Sequence, residues 1–121
     1  PLVTGVQTCA LPISLKYFAL RGTQIPNAIL DRDVSKAYQP SGEVQRALLL
    51  MHEKDAEAGL ICERLLDIDE GLQEWRYRHV KMVERTIGSK SGTGGSSGSE
   101  YLKSTLFHPV FPDLWSIRSE F

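Results

Sequence analysis

The sequence has few cysteines, no excess of charge of either sign and no long apolar run. Two cysteines, Cys9 and Cys62, are too few for a disulfide framework or a cysteine-based zinc cluster, which favours a reducing compartment such as the cytoplasm. Fourteen basic residues against fifteen acidic ones leave a net charge of −1, which argues against a nucleic-acid-binding surface. No apolar stretch approaches the roughly 20 residues that a membrane-spanning helix needs, so no membrane partner is expected.

Length and composition are those of one globular domain. A chain of 121 residues with 41% hydrophobic residues is long enough to bury a core.

Residues 1–13 differ from the rest of the chain. They lack the basic start and the continuous apolar centre of a signal peptide. This segment resembles the in-frame translation of a common sequencing-library adapter. We therefore interpret 1–13 as a non-native, adapter-derived segment and 14–121 as the natural part of the chain. The alternative is that 1–13 are an ordinary irregular N-terminal segment.

Two segments have the apolar periodicity of helices. Residues 41–53 combine a plausible N-cap at Ser41 with an apolar face formed by Val44, Ala47, Leu48 and Met51. Residues 55–88 form a longer helix that Gly88 is expected to end. Its apolar positions alternate four and three residues apart, in a narrow seam: Ile61, Leu65, Ile68, Leu72, Trp75, His79 and Met82. A helix this long must pack against several partners or another subunit.

Gly and Ser dominate residues 89–99, which follow the long helix. The segment lacks the lysine of a phosphate-binding P-loop and follows a helix rather than a strand, so a nucleotide site has almost no support. Its glycines and hydroxyls permit binding of a carboxylate or an ammonium group. The alternative, favoured by composition alone, is a flexible linker.

His79 is the main candidate for chemistry, because it is the one imidazole in the apolar seam. From the seam alone, a hydrogen-bonded core histidine is the favoured interpretation, and a metal or haem ligand is the alternative. A zinc site has little support, because His52, His108 and Cys62 stand at no recognisable ligand spacing from His79.

The charged residues of the long helix favour structural roles. Its carboxylates mostly avoid the seam, which predicts a solvated face: Glu63, Asp67, Asp69, Glu70 and Glu74. Glu74 and Arg78 form a favourable i,i+4 pair. Arg76 and Arg78 have a candidate role beside haem propionates, although salt bridges at the surface are the favoured interpretation.

The stretch from Trp75 to Tyr101-Leu102 closely resembles tryptophan 2,3-dioxygenase. It contains Trp75-Arg-Tyr-Arg-His-Val-Lys-Met-Val-Glu-Arg85, then Ile87-Gly88 and Gly92-Thr-Gly-Gly-Ser-Ser-Gly98. The tail Phe111-Pro-Asp-Leu-Trp115 is similar to the end of bacterial members of this family, and the likeness extends loosely over residues 14–121.

The resemblance implies an all-α, long-helix bundle that holds haem b and forms a homotetramer. The reaction it implies is insertion of O₂ into L-tryptophan to give N-formyl-L-kynurenine, in the kynurenine pathway. By the same match, His79 is the proximal haem ligand and Trp75 lies near the haem on that side. The loop would close over the substrate, with Thr93, Gly92 and Gly94 binding its amino-acid group.

The family's distal histidine, aromatic pocket and substrate-binding arginine have no matching segment in this sequence. His52 does not match the distal motif, and no catalytic residue is assigned. The sequence therefore predicts the C-terminal part of a haem dioxygenase, roughly its last hundred residues, which is inactive alone. The competing hypothesis is a non-catalytic helical interaction module, in which the seam packs against a partner helix and the glycine-rich loop is a linker.

Overall fold

The computed structural model describes residues 5–88 and 98–121, and within those ranges every regular element is helical. The predicted all-α fold class is confirmed. In chain order the α-helices are α1 (Gly5–Leu20), α2 (Asn27–Leu30), α3 (Gly42–Lys54), α4 (Ala56–Ile87), α5 (Gly98–Thr105) and α6 (Pro112–Ser116), followed by a 3₁₀ turn, Ile117–Glu120. None of the helices in the described ranges is both long enough and apolar enough to cross a membrane.

Helix α3 forms as its sequence predicts. The Ser41 hydroxyl accepts a hydrogen bond from the Val44 amide at 3.3 Å, which satisfies one of the free N–H groups of the first turn. The four residues of the predicted apolar face are buried: Val44, Ala47, Leu48 and Met51. The predicted N-cap and buried face are therefore confirmed.

The chain divides into two compact units, with the division inside α4. The first unit contains residues 1–66 and 110–121, and the second contains residues 67–109. In the first unit α3 packs against α6 and the 3₁₀ turn. The C-terminal segment supplies four buried apolar side chains to this core: Val110, Phe111, Leu114 and Ile117. The core thus joins segments that are some 60 to 70 residues apart in sequence.

The buried carboxylate of Asp113 links the C-terminal segment to α3 and to the residues just before it by hydrogen bonds. Asp113 accepts hydrogen bonds from the Tyr38 hydroxyl, from the Ser41 amide at 3.0 Å and from the Gln45 side chain at 2.8 Å. Burial, and next the hydrogen bond to Asp113, raise the pKa of Tyr38, so its hydroxyl stays protonated and keeps donating. Three neutral donors therefore stabilise one buried acceptor.

Residues 5–13 belong to α1, which continues to Leu20 and contains Pro12. Leu11 is buried, as are Leu15 and Phe18 on the same helix. The structure does not test where residues 1–13 came from, so the adapter-derived origin stays a prediction.

Helix α4 is two residues shorter than the predicted 55–88 range. Its first turn receives a cap from Asp55, whose carboxylate accepts from the Ala58 amide at 3.1 Å. At the other end Gly88 has a φ of 61°, and its amide donates to the Glu84 carbonyl at 2.9 Å. Gly88 therefore ends the helix in the left-handed conformation that glycine tolerates best, as the sequence predicts.

The buried stripe of α4 differs from the apolar seam that the sequence suggests as its packing face. Ala58 is buried in the first turn, and the buried side chains after it follow the seam positions by one residue: Cys62, Leu66, Asp69 and Val80. Seam residues Ile68, Trp75 and Met82 are 54%, 60% and 57% exposed. One residue is a rotation of about 100° around a helix, so the described residues cover the neighbouring face and leave much of the seam open.

The prediction that Asp69 lies on a solvated face is wrong, because its side chain is fully buried. The Gln73 amide donates to its carboxylate at 3.5 Å, one turn along the helix. The neighbouring acidic residues Asp67, Glu70 and Glu74 are exposed as predicted. Burial follows the covered stripe of the helix even where the residue is charged, and the carboxylate then needs hydrogen-bond partners.

The ion pair at the start of α4 predicts a loss of stability in acid. Arg21 donates to both carboxylate oxygens of Asp55, at 2.8 and 3.0 Å, and this contact lowers the pKa of Asp55 below its ordinary 3.8. The stabilisation is therefore complete above pH 3.8 and lost as the pH falls through the lower pKa of the folded state. The free energy of unfolding, measured with urea between about pH 5 and pH 2, is expected to fall with pH. In Asp55→Asn this fall is expected to be smaller, because the amide does not titrate.

The matched control for this experiment is Glu57→Gln. Glu57 lies 3.5 Å from Arg21, and its side chain is 72% exposed. The Glu57→Gln variant is expected to show the same fall in the free energy of unfolding between about pH 5 and pH 2 as the original chain. If the free energy of unfolding falls equally steeply with pH in Asp55→Asn and in the original chain, the Arg21–Asp55 ion pair is not the cause of the acid sensitivity.

Candidate functional site

His79 lies on α4 in the second unit, where its half-buried side chain stacks on Trp75. The two ring centroids are 5.0 Å apart, and the ring planes differ by 6°. A separation of four residues brings the rings to successive turns of one helix face. The stack restricts rotation of the imidazole, because turning the ring would break parallel contact with the indole.

Exposed apolar side chains surround this histidine along α4. Trp75 and Met82 flank it, and Ile68 extends the same stripe towards the N-terminus of the helix. Large exposed apolar side chains grouped on one surface are typical of a binding or packing site. The seam residues therefore form an apolar surface with one imidazole in it.

His79 is the single imidazole on this apolar surface of α4. In the parts of the chain that the structure describes, no three His, Cys, Asp or Glu side chains converge to hold a metal. A haem iron needs only one or two protein ligands, and a proximal histidine is a common one. A half-buried imidazole on an exposed apolar surface is compatible with a flat apolar macrocycle lying against it.

The other candidate ligands have structural roles. The Nδ1 atom of His52 lies 2.9 Å from the Leu48 carbonyl oxygen, and its ring packs against Phe121 with centroids 4.9 Å apart. Cys62 is buried, and burial raises the pKa of its thiol to about 12. A protonated thiol of this kind is a poor nucleophile and a poor metal ligand.

Arg76 has a role that the sequence did not reveal. Its guanidinium donates to the carbonyl of Thr105, the last residue of α5, at 3.4 Å, and to the carbonyl of His108, three residues further on. It therefore joins α4 to the C-terminal end of α5 through backbone carbonyls, instead of forming the predicted surface salt bridge. The Thr105 carbonyl also accepts a hydrogen bond from the His108 amide at 3.2 Å. Nothing in the sequence near Arg76 marks its partners, because they are about 30 residues away.

The predicted substrate-binding residues Gly92, Thr93 and Gly94 lie outside the described residues.

In the second unit an ion pair joins α4 to α5, with Lys103 Nζ 2.9 Å from a carboxylate oxygen of Glu84. The hydrogen bond from Lys103 lowers the pKa of Glu84, which keeps this carboxylate charged.

The comparisons with known proteins decide the family. A family model described as tryptophan 2,3-dioxygenase matches residues 52–121, which include Trp75 and His79. The chain belongs to the tryptophan 2,3-dioxygenase family. The resemblance predicted from the sequence is therefore confirmed.

Curated tryptophan 2,3-dioxygenases from several bacteria are similar to this chain. The protein from Anaeromyxobacter dehalogenans is 59% identical over 104 residues, which are 86% of this chain and 39% of that protein. The protein from Herpetosiphon aurantiacus is 53% identical over 106 residues, 88% of this chain and 40% of its own length. The protein from Geobacillus thermodenitrificans is 42% identical over 110 residues, which cover 88% of this chain and 39% of that protein. The chain thus spans about two fifths of the length of these tryptophan 2,3-dioxygenases.

Proposed function

We propose that this chain is the C-terminal, haem-binding part of a tryptophan 2,3-dioxygenase. The reaction is the oxidation of L-tryptophan by O₂ to N-formyl-L-kynurenine, the entry to tryptophan catabolism by the kynurenine pathway. The supporting observation is that the family match includes His79, and that this imidazole is half-buried in an exposed apolar surface.

His79 would hold haem b as its proximal ligand, and Trp75 would hold the imidazole in position by stacking on it. Haem iron supplies the binding and activation of O₂. The task of this chain's residues is to orient the imidazole and to exclude water from one side of the macrocycle. Met82 and Leu72 are suited to the second task, because they are apolar residues of the same seam of α4 as His79.

Gly92, Thr93 and Gly94 would bind the amino-acid group of tryptophan. A threonine hydroxyl and backbone amides in a glycine-rich loop are suitable partners for a zwitterion, because they offer donors and acceptors at close approach. Holding the substrate in this way lowers the entropic part of the reaction barrier.

The remaining parts of the proposed site come from outside this chain. No segment of it matches the family's distal histidine, its aromatic pocket or the arginine that pairs with the substrate carboxylate. We therefore expect this chain by itself not to oxidise tryptophan. A cytoplasmic homotetramer is the proposed state of the intact enzyme.

A chimera tests the proposed function directly. Residues 14–121 replace the corresponding C-terminal part of the Anaeromyxobacter dehalogenans enzyme, which is 59% identical. The chimera is expected to bind haem and to form N-formyl-L-kynurenine from L-tryptophan and O₂. Thr93→Ala in the chimera is expected to raise the KM for L-tryptophan more than it lowers kcat.

The control is the same chimera carrying His79→Ala, which is expected to lose both haem and turnover. A chimera that folds and binds haem at His79 but forms no product would contradict the dioxygenase proposal. Equal turnover with and without His79 would contradict the ligand assignment.

One observation favours the second candidate function, a non-catalytic interaction module. The seam of α4, in which Ile68, Trp75 and Met82 are exposed, has the alternating spacing of four and three residues that is typical of helix–helix packing. This hypothesis predicts that the seam binds another helix without haem, and that Thr93→Ala has no effect on binding.

A further inference from the structure

Two charged side chains of α4 hold α5 and the turn that follows it, and all the groups involved belong to the second unit. The first is Arg76, whose Nη1 atom donates to the carbonyl oxygens of Thr105 and His108. The second is Glu84, whose carboxylate lies 2.9 Å from Lys103 Nζ. The glycine-rich segment 89–97 lies between α4 and α5 in the chain, so each of these contacts connects the part before the segment with the part after it.

Arg76 binds both ends of one backbone turn. The His108 amide donates to the Thr105 carbonyl at 3.2 Å, which closes the turn over residues 105–108. A single guanidinium nitrogen then donates to the carbonyls of the first and last residues of this turn. Hydrogen bonds from a charged donor are stronger than those between neutral groups. Arg76 therefore fixes the place at which the chain leaves α5.

Glu84 contacts both sides of the glycine-rich segment. Its backbone carbonyl accepts from the Gly88 amide at 2.9 Å, where α4 ends. Its carboxylate has Lys103 as the closer of two cationic partners, at 2.9 Å, and Lys81 as the other, at 3.4 Å. One residue thus binds the last turn before the segment through its backbone and the helix after the segment through its side chain.

The two contact points lie on either side of His79 along α4. Arg76 precedes His79 by three residues and Glu84 follows it by five, which separates them by about 12 Å along the helix axis. Around the helix, Arg76 lies roughly 60° and Glu84 roughly 140° from His79, in the same direction. Val80 falls between Arg76 and Glu84 on this arc and is 2% exposed, so the arc is covered. The contacts to α5 are therefore made beside the apolar surface that carries His79.

We propose that Arg76 and Glu84 are positioning residues for tryptophan binding, because they hold both ends of the glycine-rich segment at a fixed place relative to His79. The inference rests on the proposed function, in which His79 binds haem and Thr93 binds the amino-acid group. Neither Arg76 nor Glu84 touches the substrate, since each acts through the backbone that it holds. A displacement of about 1 Å in a binding group costs up to roughly a hundredfold in rate.

Two other roles for Arg76 make different predictions. A partner of the haem propionates would, when removed, weaken haem binding. A residue that only stabilises the fold would, when removed, lower the free energy of unfolding and leave the KM of the folded enzyme unchanged. A positioning residue changes the KM for L-tryptophan while haem stays bound.

Hydrogen exchange in the 121-residue chain tests the contacts without haem or substrate. In Arg76→Ala the backbone amides of α5 and of the turn after it are expected to exchange about tenfold faster or more, because a hydrogen bond from a charged group is lost. Arg85→Ala is the matched control, since Arg85 is also an arginine of α4 and is exposed. It is expected to leave this exchange unchanged. Equal exchange in Arg76→Ala and the original chain would overturn the proposal.

The chimera with the Anaeromyxobacter dehalogenans enzyme tests the consequence for the substrate. Arg76→Ala is expected to raise the KM for L-tryptophan about tenfold, with the Soret band unchanged and kcat altered less than about twofold. In a Thr93→Ala background, Arg76→Ala is expected to have little further effect on KM, because the group that it positions is already missing. Arg85→Ala is expected to keep the original KM.

Exchange of the two charges provides a milder test of the second contact. Glu84→Lys and Lys103→Glu are each expected to raise the KM of the chimera about threefold, since partly exposed pairs contribute modestly. The double variant, which restores an opposite pair in the reversed order, is expected to recover most of the original KM. Two single variants without effect, or a double variant that does not recover, would overturn the role of Glu84.

Failure of the proposed function and failure of this inference give different results. A chimera that neither binds haem nor forms product overturns the proposed function and this inference with it. A working chimera in which Arg76→Ala raises KM no more than Arg85→Ala overturns the inference alone. Full additivity of Arg76→Ala and Thr93→Ala would do the same, because Arg76 would then not act through the segment. Loss of haem in Arg76→Ala would assign Arg76 to the propionates instead.

Discussion

Replacing His79 with alanine is expected to abolish specific haem binding by this chain. In a hemin titration the original chain should give the sharp Soret band of histidine-ligated haem, saturating near one equivalent. The reason is that His79 is the one imidazole on the exposed apolar surface of α4, and the proposed iron ligand. Without it the variant should show only the broad spectrum of hemin adsorbed to apolar side chains.

His108→Ala is the matched control, because His108 is also an exposed histidine of the second unit. It should titrate as the original chain does, since its known contact is made by its backbone carbonyl rather than by its imidazole. If His79→Ala and the original chain give the same Soret band, His79 is not the ligand. If neither gives a histidine-ligated band, the interaction module becomes the better account of the exposed seam.

Removing the Asp113 carboxylate is expected to have the largest effect on stability. Asp113→Ala leaves the Tyr38 hydroxyl, the Ser41 amide and the Gln45 side chain without their buried acceptor. A donor left unsatisfied in this way costs about 1–3 kcal/mol. A loss of about 3–5 kcal/mol in the free energy of unfolding is therefore expected, a large share of the ~5–15 kcal/mol of an ordinary domain. Urea unfolding followed by far-UV circular dichroism measures it.

Two milder variants distinguish the hydrogen bonds from the packing around them. Asp113→Asn keeps the size of the side chain and one carbonyl acceptor, so it should cost less than Asp113→Ala. Tyr38→Phe removes a single donor and should cost about 1 kcal/mol. A double-mutant cycle between these two positions measures their coupling. An Asp113→Ala variant within about 0.5 kcal/mol of the original chain would show that the carboxylate does not hold the C-terminal segment.

Local sequence signals were sufficient for the helices that carry their own start and stop residues. Ser41 caps α3 and Gly88 ends α4, as the sequence predicts, because both act on backbone groups within four residues of themselves. The family resemblance was also legible from the sequence, since the block around His79 is contiguous. His79 and Trp75 are one turn apart on one helix, which made their proximity predictable.

The candidate site was predictable only in part, because a helical period fixes the angles between side chains and not which side is covered. The seam and the buried stripe of α4 are one residue apart, and a periodicity argument cannot choose between them. Asp69 shows the consequence, since it is buried although its charge predicts exposure. Gly92, Thr93 and Gly94 stay predictions, because they lie outside the described residues.

The sequence by itself determined the all-α class and the ends of the long helix, because these depend on neighbours along the chain. Its resemblance to the family supplied the residue that is proposed as haem ligand. Only the tertiary structure decided which stripe of α4 is buried, that Arg76 binds carbonyls at the C-terminal end of α5, and that Asp113 accepts hydrogen bonds from Tyr38, Ser41 and Gln45. The physical reason is separation along the chain. The partners of Arg76 are about 30 residues away and those of Asp113 about 70, so no local pattern of apolar or charged residues encodes these contacts.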